Sequence, residues 1–228
     1  MKIHKNIKSL RKDLVLIFIL SFVIIIIIDF WLMNVPEIIP IGAELGNIIY
    51  RLSFAYITSF IFYFLVVHIK NEKDKENLKP FTKRNVQGII SIGKSINLNL
   101  TNKSDFLSLD ELKEICSKTP PKISNLPYSV AGLPNISFDF HTWFQYIDYC
   151  RLNSWEWSNY LFQKSNVLDS ELSAILLEIE GCGLFEISNK LKNSVSKEEN
   201  IILLHNFFFH YFSSIIKLEN YYNQKLIK

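Results

Sequence analysis

Four sets of residues in this chain have types and spacings that could do chemistry. Gly88, Gly93, Lys94 and Ser95 stand in the order GIISIGKS, which fits the phosphate-loop pattern GxxxxGKS. In that motif backbone amides cradle phosphates, the lysine reaches the terminal phosphates and the serine ligates magnesium. Such a loop follows a buried strand and needs permissive backbone. Here FTKRNVQ precedes it and its interior is Ile-Ile-Ser-Ile, so the context argues for a helix. His141, Asp148 and Cys150 put an imidazole, a carboxylate and a thiol in one stretch, the parts of a nucleophilic set. On one helix His141 and Cys150 would be about 13 Å apart along the axis, so a core thiol on an aromatic helix is expected instead. His205 and His210, five residues apart, lie off a common helical face and make a poor metal pair. No catalytic, cofactor or metal site is expected, and the chain reads as a non-enzyme.

The fourth set is Asp29 and Arg51, and its chemistry comes from where it lies. Leu14–Met33 reads LVLIFILSFVIIIIIDFWLM and Asn47–Ile69 reads NIIYRLSFAYITSFIFYFLVVHI. A hydrocarbon core about 30 Å thick needs about 20 helical residues, so each stretch can span it, and in lipid each must be helical. An ionisable side chain there is a functional hypothesis by default. Asp29 lies four residues before Met33 and Arg51 four after Asn47, which places both about 6 Å below one surface. They either pair across neighbouring helices or reach separately to the headgroups. Ser53, Tyr56, Ser59 and Tyr63 add hydroxyls to one side of the second span, for helix packing or for lining a wet path. Ala55 and Ser59 have the small-xxx-small spacing of close packing.

The flanking charge gives the hairpin a side. Residues 1–79 carry 10 Lys/Arg against 7 Asp/Glu, and residues 80–228 carry 15 against 15. The basic residues cluster before the first span (segment 1–13) and after the second, while the connector 34–46 has none. By the positive-inside rule both ends are cytoplasmic. Asp29, Phe30 and Trp31 stand where a signal-peptidase site would need small residues, so the first span is expected to be retained. The neutral remainder lacks the basic footprint of nucleic-acid binding, and none is expected. Cys116, Cys150 and Cys182 have no CxxC spacing and read as reduced thiols.

The expected architecture is all-α: a basic N-terminus 1–13, a transmembrane hairpin 14–69, a charged linker 70–80 that is either a helical extension or a short connector ending at a boundary at Pro80, and a cytosolic helical domain 81–228. Within the last, Phe81–Leu98 carries Val86, Ile89, Ile90, Gly93 and Ile96 at helical spacing. Ser108 and Glu111 form a capping box opening Leu109–Lys118. The aromatic stretch 138–164 is expected to be helical, broken near Asn153, and mostly core. Asp169 or Ser170 opens a helix through Ile179 that ends at Gly181. Another covers Leu184–Leu191, and Ile201–Leu226 stacks Leu204, Phe208, Tyr211, Ile215, Leu218 and Tyr222 on one stripe.

The second span and its exit, Tyr50–Lys75 (YRLSFAYITSFIFYFLVVHIKNEKDK), resemble a group of scarcely characterised bacterial proteins with two spans and a helical tail. Some similar proteins look like membrane effectors of retron-type phage-defence systems. The resemblance is one of pattern and identifies no site. It implies an inner-membrane effector that permeabilises the bilayer once infection releases it, with a homo-oligomer and an inhibitory or sensing protein or ribonucleoprotein as partners. The other expectation from the residues is a membrane-tethered helical scaffold without pore activity.

Overall fold

The computed structural model describes residues 10–31, 41–123, 140–164, 168–193 and 199–227. The basic segment 1–9, most of the connector 34–46, the irregular segment 124–139 and the polar loop 194–198 lie outside the described residues. Those described are helical apart from turns and one isolated bridge between Lys122 and Thr142. The chain divides into two compact units, Met1–Asn77 and Leu78–Lys228.

The first unit is a helical hairpin. Helix α1 covers Lys12–Phe30 and α2 covers Gly42–Phe62. Both helices are long and apolar enough to cross a membrane. The second begins at Gly42, not at Asn47 as expected. Ile41 precedes it with φ 77° and Glu44 stands in its first turn, where a carboxylate favours the helix dipole. After Phe62 the backbone widens through a π turn, Tyr63–His68, a feature that often marks functional positions. His68 is buried there, its ring stacked on Phe64 at 5.8 Å.

Helix α3, Ile69–Thr101, carries Pro80 inside it. Proline removes its own N–H and crowds the preceding turn, yet here helix continues on both sides and the segment 70–80 is helical.

The second unit is built from the C-terminal part of α3 with α4 (Leu109–Lys118), α5 (Trp143–Phe162), α6 (Ser170–Glu180), α7 (Gly183–Leu191) and α8 (His205–Tyr221). The periodic stripes form its core: Val86, Ile89 and Ile96 from α3, Leu112 from α4, Leu172, Leu176 and Ile179 from α6, and Phe208, Tyr211, Ile215 and Leu218 from α8 are all buried. Helix α4 opens with the Ser108–Glu111 capping box. Helix α6 opens with Asp169 accepting from the Leu172 amide at 2.8 Å. The break expected near Asn153 is absent; α5 runs unbroken, because Ser154 and Ser158 are buried on its core side instead of interrupting it.

Candidate functional site

Each candidate in the second unit resolves into packing. Gly88–Ser95 lies in the middle of α3, so no phosphate loop exists. Lys94 forms an ion pair with Glu219. Gly88 packs on Trp157 and Gly93 on Ile215. Cys150 is fully buried and its thiol is pushed far up by burial; Cys116 is pushed up to about 12 for the same reason. Neither is a thiolate nucleophile near neutrality. Asp148 is held by Arg151 and Lys192, and His205 Nδ1 contacts the Ile202 carbonyl at 2.7 Å. No cluster of metal-binding side chains occurs among the described residues. The aromatic stretch divides: Trp143, Phe144 and Tyr146 are core, whereas Trp155 and Tyr160 are exposed.

One buried group in this unit is badly matched to its surroundings. Glu180 Oε1 and the hydroxyls of Ser154 and Ser158 are buried; Ser154 has no hydrogen-bond partner among the described residues, and Ser158 approaches Glu180 without a hydrogen bond of good geometry. Burial pushes the Glu180 carboxyl above its ordinary range, and nearby Ser158 offsets only part of that. A raised folded pKa means that ionisation opposes folding. The contribution is whole below the unfolded value, about 4.3, and is lost as pH rises through the folded value. Glu180→Gln should therefore raise Tm at pH 7 by about 2–4 °C, equivalent to about 1 kcal/mol in a unit of this size, with the gain vanishing toward pH 4. Equal melting curves for the two proteins at pH 7 would reject this.

The hairpin holds the remaining candidates. Half-buried or buried positions recur along all of α1 (Leu14, Phe18, Ser21, Ile25, Ile28) and all of α2 (Gly46, Tyr50, Ser53, Ile57, Phe60). With the short connection 31–41, such full-length contact fits antiparallel packing. The Tyr56 hydroxyl donates to the Leu14 carbonyl at 3.1 Å, and the Phe18 and Phe60 rings lie 4.5 Å apart. Ser21 and Ser53 are both buried at 6% exposure. Small hydroxyl side chains let helix backbones approach closely.

Asp29 is the penultimate residue of α1 and Arg51 the tenth of the 21 in α2. Orientation within the hairpin sets them apart. Arg51 and Ser53 are two residues apart, about 200° of helical rotation. Because Ser53 faces α1, Arg51 faces away from it. Both charged residues are exposed, and no ion pair joins them. Of the four hydroxyl residues, Ser53 is buried, Tyr56 is half-buried and bonded to Leu14, Tyr63 is half-buried and Ser59 is exposed.

The start of α2 lies five residues before the start of the apolar run at Asn47, and Glu44 in its first turn is the signal that the sequence offered. Comparison with protein-family models, with curated proteins and with solved structures returned no match.

Proposed function

We infer that this chain is a bacterial inner-membrane effector that permeabilises the bilayer, acting in phage defence by abortive infection. In this reading α1 and α2 span the membrane as a hairpin with both ends cytoplasmic, and the helical unit is restrained by a sensing protein or ribonucleoprotein. The observation that carries it is Arg51, a permanently charged side chain on the outer face of an apolar hairpin at mid-length. A charge at that depth costs about 2.5–3.5 kcal/mol or more for insertion, and an inert anchor gains nothing from it. The resemblance of Tyr50–Lys75 to defence effectors points the same way.

Induced expression should depolarise cells, read by a potential-sensitive dye, and liposomes carrying the purified chain should leak an entrapped dye. Arg51→Leu should reduce both. A normal membrane potential after strong, membrane-inserted expression, with every partner absent, would overturn the reading.

One observation favours a second reading, that of a tethered scaffold. Ser53 is buried in the seam and the Tyr56 hydroxyl is bonded to Leu14, so neither is offered to a water-filled path by a single hairpin. Replacing residues 1–77 with an unrelated two-span anchor separates the two: retained activity supports the scaffold.

A further inference from the structure

We propose that the hairpin docks onto a second copy of itself, with Arg51 of one copy paired to Asp29 of the next. This rests on the membrane reading above and names the partner of its central charge. Arg51 is ringed by exposed apolar residues, Ile48 at 55%, Leu52 at 66% and Phe54 at 59% exposure. Neither Arg51 nor Asp29 has an ion-pair partner among the described residues, and Arg51 is turned away from its own α1. The carboxylate that could neutralise it within the hairpin is thus on the wrong side.

A neighbouring copy removes that obstacle. Copies sharing one topology share the same depths, so the axial separation of the two residues within one copy persists between copies. Side chains on a helix lean toward its N-terminus. Because α1 and α2 run antiparallel, Arg51 leans toward the level of Asp29 and Asp29 leans back toward the level of Arg51. The long arginine stem then covers the remaining distance. Ala55 and Ser59 follow Arg51 at successive four-residue steps along the same exposed ridge. Their small side chains let a neighbouring helix approach closely. The contact joins the outer face of α2 to the flank of α1, two different surfaces. Such a heterologous contact repeats from copy to copy and closes into a ring where the rotation permits. In a ring, every Arg51 and every Asp29 is matched.

The test uses the full chain in lipid nanodiscs, with self-association read by chemical cross-linking and by energy transfer between labelled copies. Arg51→Asp and Asp29→Arg should each weaken association about tenfold or more. The combined Asp29→Arg/Arg51→Asp chain should recover to within about threefold of the original, the signature of a direct pair in a double-mutant cycle. Arg51→Leu, which removes the charge and favours insertion, should also weaken association and guards against failure of the charge-reversed chains to insert. Unchanged association in Arg51→Leu would overturn the proposal, assigning Arg51 to lipid headgroups. Loss in the combined chain equal to the product of the single losses would overturn it as well. Dye leakage measured in parallel keeps the readings apart: charge-swap rescue of association without leakage supports the pairing while overturning the effector function.

Discussion

Gly93→Val is expected to destabilise the helical unit by about 3 kcal/mol, the upper part of the usual cost of overpacking a core. A Cβ on Gly93 would stand 2.6 Å from Ile215 Cγ1 and 2.9 Å from its Cδ1 and Cγ2. Ile215 is fully buried on α8, and its branched side chain has little rotameric freedom. It cannot swing aside. A mid-helix glycine costs about 1 kcal/mol against alanine, and here it leaves room for the Ile215 side chain to lie directly on the α3 backbone. In a unit of this size the loss corresponds to a fall in Tm of about 6–12 °C. The second chain to make is Gly93→Val/Ile215→Ala. It should be more stable than additivity of the two single changes allows, by about 1 kcal/mol or more. Unaltered melting in Gly93→Val would show that the helices separate without cost.

Asp148→Ala is expected to cost about 2–3 kcal/mol at pH 7, the range for hydrogen bonds to charged groups. Asp148 is 5% exposed. Its Oδ1 accepts from Arg151 Nε and its Oδ2 from Lys192 Nζ, each at 2.8 Å. Lys192 follows α7, so the carboxylate fastens α5 to the end of that helix. Arg151 and Lys192 are partly open to solvent, which is why the figure stays below the 3–5 kcal/mol or so of a fully buried pair. Burial alone would raise the Asp148 carboxyl; the bonds from Lys192 and Arg151 more than reverse this and hold it below the ordinary carboxylate range. The sign follows. A depressed folded pKa contributes stability that is present above the unfolded value, about 3.9, and is lost as pH falls through the folded one. The gap between Asp148→Ala and the original chain should therefore be widest near neutrality and close progressively below about pH 4. A gap independent of pH would assign the loss to packing.

What was legible in the sequence followed periodicity and local chemistry. Leu204, Phe208, Tyr211, Ile215 and Leu218 recur at helical spacing and all five are buried. Ser108 with Glu111, and Asp169 before Leu172, are capping arrangements complete within a few residues. What was not legible depends on partners far apart in the chain. Nothing near Asp148 announces Lys192, and nothing near Gly93 announces Ile215. In α1 the reason is different. A helix apolar on every side gives no pattern from which to choose the buried face, so Ser21 could not be matched to Ser53 before the two helices were seen together. The outward orientation of Arg51 follows from the burial of Ser53. Pro80 does not end α3, since a proline's local preference to end a helix is outweighed by helix on either side.

The uniformity of α1 also governs which changes the hairpin will tolerate. At the outward positions Phe22, Val23, Ile26 and Ile27 almost any exchange of one apolar residue for another preserves length, helicity and surface, since these positions are exposed and alike. A saturation mutagenesis map of residues 12–68 should be flat at those positions and sharply punctuated at Phe18, Ser21, Ile25, Ser53, Tyr56 and Phe60, where the two helices meet. Arg51 should stand out among the exposed positions as the one where a more hydrophobic residue inserts better and works worse.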